Sequence, residues 1–271
     1  MALKENSVFF ITGGANGIGQ CTAELIVRNG HFAVIADIEE GEALTTANSL
    51  GNQALSVKLD VRDSDNWEEA LHLAKDHFGS IDVLINNAGV MNTGFLLDQS
   101  EEEIRQMLDV NLWGFTCGLR AGARFFLNQN YGHLITVGSM ASFVSLKGQA
   151  FYSATKHGVR SIHYAFAMEM EDTPIRFSII HPGSVETRML EKQVGEDAAV
   201  LSFAEPTLKP EQVAEAILRL AENGKKEVII PSLKGFFSRF VGVFPGFLSS
   251  ALRGQWGRGK KKMLMREKGI L

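Results

Sequence analysis

Short apolar runs alternate with longer amphipathic stretches along most of the chain, and this alternation limits the fold more than any other feature. The runs carry Val, Ile and Phe at successive positions, which is typical of parallel strands that are covered on both faces. Amphipathic stretches between such runs indicate β–α–β units. The pattern predicts strands at residues 8–12, 33–37, 54–59, 83–86, 134–138, 176–181 and 227–231, and helices at residues 17–29, 40–50, 64–78, 101–128, 149–171 and 210–223.

Seven strands joined by six crossovers predict an α/β fold with one doubly wound, Rossmann-type parallel sheet and helices on both of its faces. The length of 271 residues suits one such domain. We expect residues 1–234 to form it and residues 235–271 to be a C-terminal amphipathic, apolar and basic extension of the same domain. The irregular stretch at 189–207, between a strand and a helix, is expected to form a lid.

A glycine-rich turn, which contains Gly13, Asn16, Gly17, Ile18 and Gly19, joins the first predicted strand to the first predicted helix. Glycine allows a tight turn and a close approach of the backbone to a phosphate. The amino end of the following helix favours a pyrophosphate. The spacing is G-x3-G-x-G rather than G-x-G-x-x-G, so the turn alone is weak evidence. Its place at the start of a β–α–β unit predicts a dinucleotide site.

The choice of dinucleotide follows from Asp37, which ends the second predicted strand 18 residues after Gly19. A carboxylate there can accept hydrogen bonds from both ribose hydroxyls and repels a 2′-phosphate. No Arg or Lys stands at position 38, which is Ile38, or at positions 14–18. NAD is therefore favoured over NADP. Asp60 and Val61, after the third strand, are expected to contact the adenine.

Three further residues point to proton transfer. Tyr152 and Lys156 lie four residues apart on a predicted helix and therefore share one face. The ammonium should favour the phenolate and lower the pKa of the tyrosine, which is about 10 when free. Ser139 follows the fifth strand, at the sheet edge where ligands bind in open α/β folds, and its hydroxyl can bind a substrate oxygen. A Tyr-x-x-x-Lys pair alone is weak evidence.

The combination of motifs is what decides, because their order and spacing resemble the short-chain dehydrogenase/reductase family over residues 6–232. The resemblance is carried by Thr12-Gly13-Gly14-Ala15-Asn16-Gly17-Ile18-Gly19, Asp60-Val61, Asn86-Asn87-Ala88-Gly89, Asn111, Ser139, Tyr152-Ser153-Ala154-Thr155-Lys156 and Pro182-Gly183. The four catalytic positions match the family, whereas Gly14 and Thr155 vary within what the family tolerates.

The resemblance implies roles for individual residues. Tyr152 would be the acid/base, Ser139 would fix the substrate oxygen, and Asn111 would hold a water in a proton relay with Lys156. Lys156 would also bind the nicotinamide ribose. The segment Asn86-Asn87-Ala88-Gly89 would support the cofactor and the central sheet, and the carboxamide would be oriented by Pro182, Gly183, Val185 and Thr187.

These expectations describe an NAD(H)-dependent oxidoreductase that interconverts a secondary or lipophilic alcohol and its carbonyl without a metal. Two alternatives stay open: an NADP(H)-dependent carbonyl reductase and a catalytically silent, cofactor-binding scaffold. Family members pair two long helices across a two-fold axis, so we expect a homodimer or homotetramer. These helices carry apolar residues on more than one face; one face must cover the sheet, and the surplus is expected at that contact. The apolar residues include Leu112, Phe115, Leu119, Ile162, Tyr164, Phe166 and Met168.

The C-terminal extension combines an apolar helical face with a basic end. The face consists of Phe236, Phe237, Phe240, Val241, Phe244, Phe247, Leu248, Ala251 and Leu252, and Pro245 is expected to split it into two short helices. Residues 253–271 hold seven Lys or Arg and one Glu, so this segment is positively charged. The rest of the chain carries a charge of −10, and the two together give the net charge of −4. The extension is either a membrane-surface contact or a cover of the pocket or a subunit interface.

Composition and chain ends complete the expectations. The net charge of −4 and the lack of a basic stripe with interleaved aromatic residues argue against a nucleic-acid partner. The short polar N-terminus leaves no room for a secretion signal, and no apolar run reaches the roughly 18 residues of a membrane span. We therefore expect a cytoplasmic protein, with contact to a membrane surface left open for the extension.

Overall fold

The computed structural model describes residues 3–232 and 245–270, and for residues 245–253 it describes only the backbone. Seven parallel strands form one sheet in the order β3-β2-β1-β4-β5-β6-β7. They are β1 (Val8–Thr12), β2 (Phe32–Asp37), β3 (Ala54–Lys58), β4 (Val83–Asn86), β5 (Gly132–Val137), β6 (Ile175–Pro182) and β7 (Glu227–Ile230). The order in which consecutive strands are added to the sheet reverses between β1 and β4. This reversal leaves a ligand crevice at the carboxyl ends of these two strands. The predicted doubly wound sheet is confirmed.

Helices cover both faces of the sheet. They are α1 (Gly17–Arg28), α2 (Glu40–Leu50), α3 (Ser64–Phe78), α4 (Glu101–Leu108), α5 (Phe115–Gln129), α6 (Ala150–Glu169), α7 (Arg188–Glu191), α8 (Pro210–Asn223) and α9 (Pro245–Glu267). The single helix predicted at 101–128 is wrong in one respect, because a π-helical segment, Asp109–Gly114, separates α4 from α5. Such segments have little sequence signature and occur frequently at functional sites.

Two apolar clusters, one on each face, explain the continuous apolar strands. Phe10 packs with Trp67, Leu84 and Phe126 on one face, whereas its neighbours Phe9 and Ile11 belong to the cluster on the other face. All of these side chains are fully buried. A strand whose successive residues are buried on opposite faces must be apolar at every position.

A third, smaller apolar cluster joins the predicted lid to the C-terminal helix. Leu190, Ala199, Val200 and Phe203 of the lid pack with Met263 of α9. The lid is not irregular throughout as expected, since it contains α7 and a 3₁₀ helix, Asp197–Phe203. Pro245 begins one helix of 23 residues rather than the short helix expected after it, and proline fits a first helical turn. The apolar residues from Phe236 to Phe244 lie outside the described residues.

Within residues 3–232 and 245–270, no helix is long and apolar enough to cross a membrane.

Candidate active site

A cleft of about 1070 Å³ lies at the carboxyl ends of the strands. Its lining includes every site residue predicted from the sequence except Gly19, Asn86 and Asn111. One end is formed by the glycine-rich turn and Asp37, and the other end by Tyr152 and the lid. The structure thus brings residues from opposite ends of the sequence to one crevice.

The glycine-rich turn needs its glycines for two different reasons. Gly13 and Gly17 have φ values of +63° and +56°, which favour glycine. Gly19 does not line the cleft, but a Cβ there would lie 2.0 Å from the carbonyl oxygen of Gly13. Gly19 therefore allows α1 to pack directly against the turn, and its role at the cofactor site is indirect.

Polar side chains fix the turn to β4. Asn87 Nδ2 donates to the carbonyl oxygens of Thr12 and Gly13, at 2.8 and 3.2 Å. The Thr12 hydroxyl accepts from the backbone N–H groups of Asn87 and Ala88, each at 3.0 Å. This role of Thr12 was not predicted, although a buried polar residue at the end of an apolar strand is a signal for one. These hydrogen bonds therefore hold the glycine-rich turn in place at this end of the cleft before any ligand binds.

Asp37 holds the other side of the turn. Its carboxylate accepts from the N–H groups of Ala15, at 3.0 Å, and of Glu39, at 3.1 Å. The side chain is partly exposed to the cleft, as predicted for a ribose contact, and Ile38 lies beside it. Asn16 Nδ2 is 3.4 Å from Glu42, so the rim here carries two more polar groups.

Cations also reach this rim: Arg62 was not predicted there, whereas Arg188 was expected to be a surface or cofactor-side residue. Arg62 forms an ion pair with Asp60, with 2.6 Å between Nη2 and Oδ2, and holds the pKa of Asp60 below its ordinary value. Arg188 Nη1 lies 2.7 Å from Glu42 Oε1. The prediction that no nearby sequence position supplies a cation is accurate, but the fold brings these two arginines to the cleft from other segments. Both are paired with carboxylates.

Ser139, Tyr152 and Lys156 meet at the far end of the cleft. Ser139 lies two residues after the last pair of β5, and its Oγ accepts from the N–H of Ala141 at 3.1 Å. A hydrogen bond joins the Ser139 and Tyr152 side chains. Lys156 Nζ lies 3.4 Å from the carbonyl oxygen of Val137 and 5.8 Å from the centre of the Tyr152 ring. These groups can bind an alcohol or carbonyl oxygen and exchange a proton with it.

The pKa values of this group differ from the expectation. Burial raises the pKa of Tyr152, and the hydrogen bond with Ser139 opposes this rise only in part. Burial also lowers the pKa of Lys156 to about 8. The expected lowering of the tyrosine pKa by an ammonium is therefore not what the protein does by itself, because desolvation of the phenolate outweighs it.

Asn111 lies in the π-helical segment, one layer behind the cleft. Its Oδ1 accepts from Val90 N–H and its Nδ2 donates to the Val90 carbonyl, both at 2.8 Å. A Cβ on Gly89 would lie 3.2 Å from Asn111 Oδ1 and 3.7 Å from Lys156 Nζ. Asn111 Oδ1 and Lys156 Nζ therefore both lie near Gly89, and the Asn111 side chain is engaged with the backbone of Val90.

The substrate end of the cleft is mainly apolar. Its walls include Met91, Met140, Val144, Leu146, Leu201 and Pro206, together with the polar side chains Gln149 and Gln255. Gln149 donates to Ser202 Oγ at 2.7 Å, and Ser202 donates to Gln193 Oε1 at 2.9 Å, so a buried polar chain fixes the lid to the start of α6.

Helix α9 packs on the outside of the lid. A Cβ on Gly259 would lie 2.2 Å from the carbonyl oxygen of Val200, so glycine lets the two backbones touch. Ion pairs join α9 to acids on or beside the lid: Arg266 to Glu186 at 2.8 Å, Lys260 to Asp197 at 3.6 Å and Arg258 to Glu205 at 3.8 Å. Trp256 stacks on Phe95, and Lys147 Nζ lies 4.4 Å from the centre of the Trp256 ring. The basic end of the chain thus pairs with the lid.

Comparisons with known proteins agree with this geometry. The family model described as short chain dehydrogenase matches residues 7–198. The chain is 34% identical over 191 residues to trans-4-hydroxycyclohexanecarboxylate dehydrogenase of Sinomonas cyclohexanicum, which covers 67% of this chain and 73% of that protein. An uncharacterized oxidoreductase of Staphylococcus saprophyticus is 33% identical and covers 79% of this chain and 89% of its own length. A crystal structure of 3-ketoacyl-(acyl-carrier-protein) reductase from Brucella melitensis complexed with NADH has a TM-score of 0.75 at 26% identity, covering 83% of this chain and 96% of that one.

Proposed function

The chain belongs to the short-chain dehydrogenase/reductase family of oxidoreductases, and we propose that it uses NAD(H) to interconvert a lipophilic or secondary alcohol and its carbonyl. The observation that carries the proposal is one cleft with Asp37 at one end and Ser139, Tyr152 and Lys156 at the other. The relative from Brucella melitensis, which is a complex with NADH, supports the cofactor.

The residues present fit a nicotinamide dinucleotide. The turn at Gly13 and Gly17 presents backbone without side chains, and the amino end of α1 favours a pyrophosphate. Asp37 offers carboxylate oxygens to ribose hydroxyls. Lys156 is buried, and its Nζ lies 3.4 Å from the Val137 carbonyl oxygen. An ammonium has three N–H groups, so others can donate to the second ribose.

The proposed reaction uses each side chain for one task. The cofactor, when bound, supplies or accepts the hydride. Ser139 donates a hydrogen bond that fixes the substrate oxygen, and Tyr152 moves the proton at that same oxygen. Lys156 supplies a charge that favours the phenolate whenever its ammonium is protonated, and Asn111 keeps the strand end at Val90 beside Lys156.

A turnover assay tests this proposal. Purified protein with NAD⁺ is given secondary alcohols of increasing size, including trans-4-hydroxycyclohexanecarboxylate, the compound in the name of one relative. We expect NADH to form with an apolar alcohol, because the substrate walls are mainly apolar. Binding of NADH without turnover of any alcohol or ketone would favour the catalytically silent scaffold instead.

Replacing Asp37 with alanine should narrow the cofactor preference. We expect the intact protein to bind NADH at least about tenfold more tightly than NADPH, a difference of roughly 1.4 kcal/mol. In Asp37→Ala the carboxylate no longer repels a 2′-phosphate, while Arg62 and Arg188 at the rim stay paired with Asp60 and Glu42. Fluorescence titration of both cofactors measures the two Kd values.

The control for this titration is Glu40→Ala, which removes an equal charge from an exposed side chain paired with Lys58. Its cofactor preference should equal that of the intact protein. Equal affinities of the intact protein for NADH and NADPH would contradict the assignment and favour the carbonyl reductase alternative.

We further propose that α9 covers the substrate end rather than serving as a membrane contact. Gln255 of α9 lines the cleft, and three of its cations pair with acids of the lid region. Gly259→Val should push α9 away from Val200, because a Cβ there has no room. The KM for bulky apolar alcohols should rise about fivefold, roughly 1 kcal/mol, with little change for small alcohols.

Gly257→Val is the matched control, since it makes the same substitution in the same helix where nothing lies within 4 Å. Its KM values should equal those of the intact protein. Co-sedimentation of the intact protein with anionic vesicles, reversed by salt, would instead support the membrane alternative.

We also propose a homodimer or homotetramer. Phe115 and Leu119 are buried in the core, so they belong to the face that covers the sheet. Exposed apolar side chains remain on the same helices, at Trp113 and Met168, the latter 68% exposed. Light scattering at micromolar concentration measures the mass, and a monomer would contradict the proposal.

A further inference from the structure

His181 lies behind the strand end that carries Ser139, and its side chain is fully buried. Its Nδ1 is 3.1 Å from the main-chain carbonyl oxygen of Ser139. Its Nε2 is 3.1 Å from Glu227 Oε1, on β7. Gly138 provides the room, because a Cβ there would lie 2.7 Å from Nδ1. The ring therefore connects Glu227 on β7 to Ser139, the second residue after β5.

Both neighbours of the ring are acceptors. A carbonyl oxygen cannot donate, so the contact with Ser139 is a hydrogen bond only when Nδ1 carries a proton. The carboxylate of Glu227 also only accepts. A neutral histidine has one N–H, so both contacts are satisfied only when the pair holds a second proton, on Nε2 or on Glu227.

Charged and titratable groups around the pair control that proton. From α6, Arg160 Nε lies 3.6 Å from Glu227 Oε1, and His163 also interacts electrostatically with His181. Burial lowers the pKa of His181, and the Glu227 carboxylate opposes this effect. If the ring becomes neutral while Glu227 is ionised, the carboxylate draws the remaining proton to Nε2, and the Ser139 carbonyl loses this donor.

The contact matters because of where Ser139 stands. Strand pairing of β5 ends at Val137, so Ser139 is outside the ladder. Its carbonyl accepts from Ser142 N–H at 2.9 Å in addition to the ring. The Ser139 hydroxyl, on the same residue, is bonded to Tyr152. A rotation of this peptide would move the hydroxyl away from the reacting oxygen.

We propose that His181 is a positioning residue that holds Ser139 through its carbonyl, and that Glu227 determines which ring nitrogen carries the proton. The proposal rests on the proposed function of Ser139. It assigns a role to two buried polar groups that do not line the cleft, and it makes the placement of Ser139 sensitive to one shared proton.

Two substitutions separate the two sides of the ring. An asparagine amide nitrogen falls near the position of Nδ1, and a glutamine amide nitrogen falls near Nε2. H181N should keep kcat within about threefold of the intact protein, whereas H181Q should lower kcat roughly 10- to 100-fold, the scale of a misplaced reacting group. The KM of the best alcohol in the panel and the Kd of NADH should change less than about twofold in both.

A second measurement needs no turnover. Histidine ¹⁵N NMR of the full chain, with H181N identifying the His181 signals, reports which ring nitrogen is protonated. We expect Nδ1 to carry a proton at neutral pH and to keep it to higher pH in E227Q, because a glutamine amide can donate to neutral Nε2. An unprotonated Nδ1 at neutral pH, or equal kcat losses in folded H181N and H181Q, would overturn the proposal. Failure of the intact protein to oxidise any alcohol would reject the proposed function while leaving the NMR test of this contact valid.

Discussion

Tyr152→Phe should lower kcat at least about a hundredfold, which is the usual scale for the loss of an acid/base group. Phenylalanine keeps the ring in the cleft and removes only the hydroxyl that is bonded to Ser139. Binding of NADH should persist, because the glycine-rich turn and Asp37 are untouched. Steady-state kinetics with the best alcohol and a fluorescence titration with NADH measure the two quantities separately.

The control is Tyr131→Phe, which removes a hydroxyl from a tyrosine beside Lys4, outside the cleft. It should leave kcat unchanged. A Tyr152→Phe variant that keeps the activity of the intact protein would reject the role of Tyr152.

The pH profile gives an independent check on the same residue. Oxidation needs the phenolate, so kcat should rise with pH as Tyr152 loses its proton. Burial raises the pKa of Tyr152 in the protein by itself, and a positive charge on bound NAD⁺ would act in the opposite direction. The rising limb should disappear in Tyr152→Phe. A limb that persists unchanged would belong to another group.

The sheet could be predicted from the sequence because strands that are buried on both faces must be apolar at successive positions. Phe9, Phe10 and Ile11 are all apolar since each faces one of the two clusters. The glycine-rich turn could also be predicted from the sequence, because a positive φ at Gly13 and Gly17 restricts the residue type. In each case the local environment of a single residue restricts which amino acid can stand at that position, so the feature can be predicted from the sequence.

Features that depend on contacts between distant segments were missed. Arg62 reaches the cofactor end only because the fold places the segment after β3 at that rim. The π-helical segment around Asn111 arises where that side chain bonds the backbone of Val90, from another part of the chain. Similarly, the position of α9 depends on Gly259 meeting Val200. No periodicity in the sequence encodes such pairings.

Lys156→Met should abolish most activity and at the same time stabilise the protein. The lysine is nearly fully buried, and burial lowers its pKa to about 8 from an ordinary value of 10.5. Methionine has a similar length and no charge to desolvate. We expect kcat to fall at least about a hundredfold, and the free energy of unfolding without cofactor to rise by about 1 to 3 kcal/mol at neutral pH.

The pH dependence of this gain has a definite sign. Below pH 8 the lysine is charged in both the folded and the unfolded chain, so the cost of burying the charge is fully present. Between about 8 and 10.5 the folded protein releases the proton first and the cost declines. The stability difference between Lys156→Met and the intact protein should therefore be largest at neutral pH and should shrink as the pH rises through this range.

Urea unfolding at several pH values measures this difference, with Lys58→Met as the control because its side chain is 64% exposed. Lys58→Met should change the free energy of unfolding by less than about 0.5 kcal/mol at any pH. The hydrogen bond lost with Lys156, to the Val137 carbonyl, is long at 3.4 Å and offsets little of the gain. A destabilised Lys156→Met would mean that the interactions of the ammonium in the folded protein offset the free-energy cost of burying its charge. A more stable but inactive variant would show that the protein retains a buried lysine for its chemistry at a cost to its fold.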